Sequence, residues 1–185
     1  MATVLPDPAF DFVRQDARSD WVRLRTLLVL RWLAILGQTV TVVFASFQLG
    51  LRIELGLCFL AIGASVVSNL VAMTIFPENQ RLSDRDAMLT LLFDLSQLSF
   101  LLFLTGGLNN PFALLILAPV TISATALTVR STSILGVLAV AMITLLGLFH
   151  VPLTLQSGDI LQLPPMFLIG FWMAITIGIV FLSAY

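Results

Sequence analysis

The chain alternates six long apolar runs with short polar breaks, and this alternation dominates its hydropathy pattern. Each run is about as long as the roughly 20 residues that an α-helix needs to cross the hydrocarbon core of a bilayer. Within lipid every backbone polar group needs an internal partner, which favours helices. The pattern therefore predicts an all-α integral membrane protein, a bundle of six transmembrane helices with spans at about 26–47, 55–76, 87–105, 111–127, 133–150 and 166–185.

The break between the third and fourth runs is the heptapeptide Gly-Gly-Leu-Asn-Asn-Pro-Phe, here called the 106–112 loop. Glycine accepts positive φ at a helix end, Asn110 can cap the next helix, and Pro111 suits its first turn. These features indicate a tight helix-to-helix connection. A second interpretation is a ligand site, because two carboxamides, open backbone N–H groups, a helix N-terminus and the Phe112 ring converge there. Such a set suits a flat, lipid-soluble ligand with carbonyl oxygens, for instance a quinone.

Two polar residues inside the third run, Asp94 and Gln97, lie on one helical face because they are three residues apart. The candidate partners of Asp94 are Gln97 and Arg31. At 1.5 Å per residue, Asp94 lies roughly 18 Å from Gly106, too far for one small head group to touch both. We therefore expect Asp94 to lock the bundle or to relay a signal, with direct proton transfer as the alternative.

Three more residues interrupt the apolar pattern of the spans. Arg31 is expected to extend toward the cytoplasmic headgroups, with a functional ion pair as the alternative. Asn69 is expected to bond across to a neighbouring helix. Pro119 removes one backbone hydrogen bond, so we expect it to bend the fourth span and to be a candidate carrier of a signal.

The few charges are distributed unevenly, and all nine basic residues are arginines. Under six spans, Arg52 falls on one side of the membrane and the other eight arginines fall on the opposite side, which predicts that both ends are cytoplasmic. Residues 1–25 are then a cytoplasmic segment with an interfacial anchor, residues 26–185 are the membrane domain, and the 106–112 loop is at the outer face. We expect the polypeptide to continue beyond Tyr185 into an intracellular domain.

Composition excludes several classes of function. With 59% hydrophobic residues, 10% charged residues and a mean hydropathy of +1.06, the chain is not an ordinary soluble domain. It has no basic footprint for nucleic acid. Cys58 lies in an apolar run and is expected to be a buried apolar residue, and His150 has no second ligand for a metal site. No span offers a catalytic serine or cysteine beside a histidine, so we predict neither catalytic nor metal-binding residues.

The 106–112 loop resembles the GGxxNPF motif of the RegB/PrrB family of redox-responding sensor histidine kinases. Residues 20–38 (DWVRLRTLLVLRWLAILGQ), residues 91–118 (LLFDLSQLSFLLFLTGGLNNPFALLILA) and the six-span layout are similar to the same family. The resemblance implies a homodimeric sensor in the bacterial inner membrane that binds ubiquinone near the motif. It also implies a cytoplasmic kinase that transfers phosphate from ATP to a histidine and then to a response regulator; this kinase, its ATP site and its redox-active cysteine are expected outside the chain.

The motif gives the candidate quinone-binding residues Gly106, Gly107, Asn110, Pro111 and Phe112. Asn109 falls at a variable position of the motif and is a weaker candidate. The ring is expected to lie against Phe112, with its carbonyl oxygens facing Asn110 and the loop N–H groups and its tail in membrane lipid. The alternatives are a small transporter half and a scaffold that docks another membrane complex.

Overall fold

A computed structural model describes residues 22–48, 50–75 and 81–184 of the chain. Residues 1–21, which hold most of the predicted N-terminal segment, lie outside the described residues. The described part forms six α-helices and two very small sheets. The helices are α1 (Leu24–Phe47), α2 (Leu55–Ile75), α3 (Asp84–Leu104), α4 (Leu117–Ala126), α5 (Val129–Leu148) and α6 (Pro165–Ala184), and the strands are β1 (Val22–Arg23), β2 (Leu51–Arg52), β3 (Arg81–Leu82), β4 (Leu153–Leu155) and β5 (Ile160–Leu161).

Five of these helices, all except α4, are long and apolar enough to cross a membrane. The fourth predicted span is shorter and of mixed geometry, because a 3₁₀ helix at Pro111–Ile116 precedes α4. Its six 3₁₀ residues rise about 2.0 Å each and the ten residues of α4 about 1.5 Å each, which gives roughly 27 Å. The 3₁₀ geometry thus brings a short segment close to the roughly 30 Å thickness of the hydrocarbon core.

One end of the bundle is held together by short polar contacts. Strands β1 and β3 pair there in antiparallel register. The Oδ1 atom of Asp84 accepts the backbone N–H of Thr128 at 2.7 Å, and the Asp84 carboxylate also accepts the hydroxyl of Ser131. Thr128 is the N-cap of α5, so Asp84 joins the start of α3 to the start of α5.

The opposite end carries a three-stranded antiparallel sheet in the order β2-β4-β5. Leu51 pairs with Leu155, and Leu153 pairs with Leu161. This sheet ties the connection between α1 and α2 to the connection between α5 and α6. It lies at the same end as the 106–112 loop, since the side chain of Leu153 contacts Gly106.

Helix α3 lies at the centre of the packing and contacts α2, α4 and α5. Its buried residues Leu91, Leu95 and Leu102 belong to the main apolar core, to which α4, α5 and α6 also contribute. A second cluster joins α1, α2 and α3 and contains Cys58, which is fully buried. The interpretation of Cys58 as a buried apolar residue is therefore confirmed.

The outer surface of the helices is apolar as well. Large side chains such as Phe47, Met166 and Phe167 are exposed over most of their area. An aqueous protein does not expose contiguous apolar surface on this scale, whereas lipid covers it without cost. The long apolar helices and this surface together identify a membrane protein.

Candidate functional site

The two glycines of the 106–112 loop are required by their backbone geometry and by close packing. Gly106 has φ 98° and Gly107 has φ 57°, both in the left-handed region that other residues rarely adopt. A Cβ atom would lie 2.5 Å from the side chain of Leu153 at Gly106 and 2.4 Å from the carbonyl oxygen of Leu146 at Gly107. Both glycines are buried, so they shape the loop from inside.

Asn110 caps the 3₁₀ helix that follows it. Its Oδ1 accepts the backbone N–H of Phe112 at 2.9 Å, and its Nδ2 donates to the carbonyl oxygen of Thr105 at 3.1 Å and to its hydroxyl at 2.8 Å. Pro111 occupies the first position of that helix. The capping interpretation of these two residues is confirmed.

Asn109 is 5% exposed and connects three parts of the chain. Its Nδ2 donates to the carbonyl oxygen of Gly106 at 3.2 Å and lies 3.1 Å from Nε2 of His150, while its Oδ1 accepts the N–H of Leu163 at 2.9 Å. Nδ1 of His150 lies 3.1 Å from the carbonyl oxygen of Leu146. The network is consistent when His150 is neutral with its proton on Nδ1, because Nε2 then accepts from Asn109.

These bonds leave the loop with fewer open polar groups for a ligand than expected. The backbone N–H groups of Asn109, Asn110, Phe112 and Ala113 all donate within the loop. Both side-chain atoms of Asn110 are also engaged. The reason is general, since buried polar groups at a helix junction are costly unless they are paired, and here the loop pairs its own.

Phe112 is the loop residue that lines two neighbouring cavities, and 42% of its surface is exposed. The larger cavity has a volume of about 470 Å³ and lies between α1, α3 and the segment formed by the 3₁₀ helix and α4. A neighbouring cavity of about 190 Å³ is lined by Asn110, Pro111 and Phe112. Both cavities share Gln38, Thr41, Leu98, Phe112 and Leu115 as lining residues.

Four of the polar side chains that line the larger cavity are here called the polar wall: Arg31 and Gln38 from α1, and Asp94 and Gln97 from α3. Nε of Arg31 lies 2.7 Å from Oδ1 of Asp94. The two glutamines form a reciprocal pair, in which Nε2 of Gln97 donates to Oε1 of Gln38 at 3.0 Å and Nε2 of Gln38 donates to Oε1 of Gln97 at 3.4 Å. The wall thus joins α1 to α3.

The expectation that Arg31 extends toward the headgroups is wrong, because this residue is 7% exposed and points into the bundle. Besides Asp94, it donates to the hydroxyl of Ser68 at 3.1 Å and to the carbonyl oxygen of Thr90 at 3.3 Å. Its guanidinium carbon also lies 5.6 Å from the ring centroid of Phe93. A guanidinium away from water needs such partners for its donors.

Gln38 is the functional candidate that the sequence analysis did not single out. It lies seven residues after Arg31, which places both on one face of α1 after two helical turns. Helical spacing thus relates Arg31 to Gln38 in the same way as it relates Asp94 to Gln97. This spacing is the feature of the sequence that indicates the polar wall.

The remaining predicted residues are placed as follows. Nδ2 of Asn69 donates to the carbonyl oxygen of Leu28 at 3.3 Å, so its bond to a neighbouring helix is confirmed. Pro119 is the third residue of α4, just after the change from 3₁₀ to α geometry, and it lines the larger cavity. Among the described residues, no group of three His, Cys, Asp or Glu side chains could hold a metal ion.

Comparisons with known proteins point to one group. No family model matches the chain, and no solved structure matches it. Two curated relatives, both named sensor histidine kinase RegB, come from Cereibacter sphaeroides and from a defined strain of that species; each is 57% identical over 173 residues. The match covers 94% of this chain, and the chain spans 37% of the length of these relatives.

The long apolar helices and the similarity to a sensor histidine kinase together support a transmembrane sensor region of such a kinase. The matched stretch covers nearly the whole chain and includes the 106–112 loop. Over 94% of its length, this chain is therefore similar to sensor histidine kinases of the RegB type, as a fragment of such a kinase would be.

Proposed function

We propose that this chain is the redox-sensing transmembrane region of a two-component sensor histidine kinase and that it binds ubiquinone in the cavity beside the 106–112 loop. The observation that carries the proposal is the cavity of about 470 Å³ between α1 and α4, with Phe112 in its lining. Its volume suits a ring-bearing ligand, since small-molecule pockets are typically about 300–1,000 Å³ and mostly apolar. The isoprenoid tail leaves between α1 and α4 into lipid.

The loop contributes to this site through contact and rigidity. The Phe112 ring and Pro111 line the neighbouring cavity of about 190 Å³. The loop is held in one conformation by Gly106, Gly107, Asn109 and Asn110. A rigid loop favours ligand binding because no conformational entropy is lost in ordering the loop when the ligand binds.

In the proposed arrangement the protein crosses the bacterial inner membrane six times, with the 106–112 loop at the periplasmic face and both ends in the cytoplasm. The grouping of β1, β3 and the start of α5 at one end, away from β2 and the loop, supports this arrangement. The uneven distribution of the arginines supports the orientation, with the arginine-rich end of the bundle in the cytoplasm.

The signal passes from the quinone pool to a cytoplasmic kinase. Oxidised and reduced ligand differ in their hydrogen-bond donors, so they stabilise different helix arrangements, and coupling of about 1–3 kcal/mol is typical between sites. In a homodimer the kinase transfers phosphate from ATP to its histidine and then to an aspartate of a response regulator. These steps belong to the part of the relatives that lies outside the match.

The test is titration of the membrane-reconstituted protein with a short-chain ubiquinone, followed by tryptophan fluorescence. We expect saturable binding, weakened about tenfold by Phe112→Ala because the ring contact is lost. Phe167→Ala is the matched control, since Phe167 is an exposed phenylalanine of α6. Absence of saturable binding to the unaltered protein would overturn the proposal.

A further inference from the structure

The polar wall is an unusual group to find beside an apolar cavity in a membrane protein. Gln38 and Gln97 are 8% and 9% exposed, and Arg31 and Asp94 form an ion pair next to them. Polar side chains inside a membrane are costly and generally line sites or pathways. Packing alone would be served equally well by apolar residues of the same size.

The two glutamines have unused hydrogen-bonding capacity. Each carboxamide has two N–H donors and two acceptor lone pairs, and the reciprocal pair uses one donor and one acceptor of each. No other described residue bonds to either amide. Each glutamine therefore keeps one N–H donor and one lone pair beside the cavity.

Asp94 has an unused acceptor as well. Its Oδ1 faces Arg31, while no described residue donates a hydrogen bond to its Oδ2. The Asp94 side chain is 24% exposed and lines the cavity. Three of the five N–H donors of Arg31 are directed at Asp94, Ser68 and Thr90, so Arg31 orients the carboxylate and leaves its free oxygen to a ligand.

We propose, building on the quinone function above, that the polar wall binds the ring oxygens of the ligand and that different atoms of it serve the two redox forms. The carbonyl oxygens of a quinone only accept, so they match the free N–H groups of Gln38 and Gln97. The hydroxyls of the reduced form also donate, so one of them matches Oδ2 of Asp94. The loop is then the mouth of the site, and the ring lies deeper, against α3.

The apolar side of the cavity fits this orientation. Leu115, Pro119 and Ile122 of the fourth segment face the polar wall across the cavity. The two oxygens of the ring are at opposite edges, so a flat ring between the apolar wall and the polar wall has one oxygen beside the glutamine pair and the other beside Asp94, with its tail toward Phe112. Since Asp94 is roughly 18 Å along the chain axis from Gly106, the ring oxygens contact the wall and not the loop.

The experiment compares a short-chain ubiquinone with its reduced ubiquinol on the membrane-reconstituted protein, using the fluorescence titration. In Gln38→Leu/Gln97→Leu both partners of the pair are replaced together, so no amide is left unpaired. We expect this variant to bind both forms about tenfold more weakly. Asp94→Asn keeps an acceptor for Arg31, and we expect it to weaken ubiquinol binding about tenfold while ubiquinone binding changes less than about twofold.

A third variant fills the cavity and leaves every polar group in place. A Cβ at Gly37, which lines the cavity, would meet no atom within 4 Å, so we expect Gly37→Leu to fold and to reduce the space for the ring. We expect about a tenfold loss for both forms. Gly170→Leu is the matched control, because Gly170 of α6 is equally open.

The outcomes separate the two proposals. If the unaltered protein binds neither form, the quinone function itself fails. If it binds both, and Phe112→Ala weakens binding while the double glutamine variant and Gly37→Leu do not, ligand binding stands and the polar wall is overturned as its site. Should Asp94→Asn fail to fold, the double glutamine variant and Gly37→Leu still decide the location of the ring.

Discussion

Nε of Arg31 lies 2.7 Å from Oδ1 of Asp94, so an ion pair between α1 and α3 is formed inside the bundle. The two residues are 63 positions apart in sequence. In the described part of the chain, it is the ion pair that links α1 to the helix at the centre of the packing.

Breaking this pair from one side should destabilise the protein strongly. In Arg31→Met the carboxylate of Asp94 loses its partner, and such losses cost about 3–5 kcal/mol. The double variant Arg31→Met/Asp94→Leu removes both charges and should cost clearly less than the single variant. The measurement is the unfolding midpoint in a denaturing detergent. Arg130→Met serves as the control because Arg130 is exposed; equal midpoints for Arg31→Met and Arg130→Met would contradict the expectation.

Gly107→Ala should prevent the loop from adopting its conformation. The added Cβ would lie 2.4 Å from the carbonyl oxygen of Leu146, and alanine disfavours φ 57°. Steric conflict with backbone together with strain at a special φ places the expected loss at about 2 kcal/mol or more. Thermal unfolding of the purified protein measures it. Gly170→Ala, at an open position, should melt within a degree or two of the unaltered protein, on the order of a neutral surface change.

Asp84→Ala should loosen the start of α5. The carboxylate accepts the backbone N–H of Thr128 and the hydroxyl of Ser131, and loss of a cap of this kind costs about 0.5–2 kcal/mol. Hydrogen exchange of the first turn of α5 should become faster, while α2 is unaffected. Asp159→Ala is the control, since Asp159 bonds to Ser157 in a connection at the other end of the bundle.

Asn109→Ala should release the connection between α5 and α6 from the loop. The backbone N–H of Leu163 loses its acceptor, and Nε2 of His150 no longer accepts a hydrogen bond from Asn109. We expect the Leu163 amide to exchange about tenfold faster, as loss of one hydrogen bond of about 1.4 kcal/mol implies. Ser157→Ala, in the same connection, should leave this amide unchanged. An unaltered exchange rate in Asn109→Ala would exclude the proposed role of its side chain.

The sequence predicted helix positions well because an apolar run of membrane length has few alternatives. The bounds of α1, α2, α5 and α6 lie within a few residues of the predicted spans. The fourth span was less predictable, since the choice between 3₁₀ and α geometry at Pro111–Ile116 depends on the Asn110 cap and on the packing of Leu108 and Ala113.

The site was predictable only in part. The chemical nature of Asp94 marked it as important, and Arg31 was one of its two candidate partners. The choice between Arg31 and Gln97 depends on the rotation of α1, which an almost wholly apolar helix does not encode strongly. Likewise, the residue types of the loop were compatible with both capping and ligand binding. The choice depends on which groups the fold brings close to the loop. The side-chain amides of Asn109 and Asn110 donate to Gly106, Thr105 and the distant His150.

The fourth segment can change its length because residues Pro111–Ile116 form a 3₁₀ helix, which is longer per residue than an α-helix. Each residue that relaxes from 3₁₀ to α geometry shortens the axis by about 0.5 Å, so six residues can draw α4 toward the loop by about 3 Å. The same change unwinds the segment by about 20° per residue, which swings Pro119 and Ile122 around the helix axis. A change from 3₁₀ to α geometry in these two turns thus shifts α4 along its axis and rotates it at the same time.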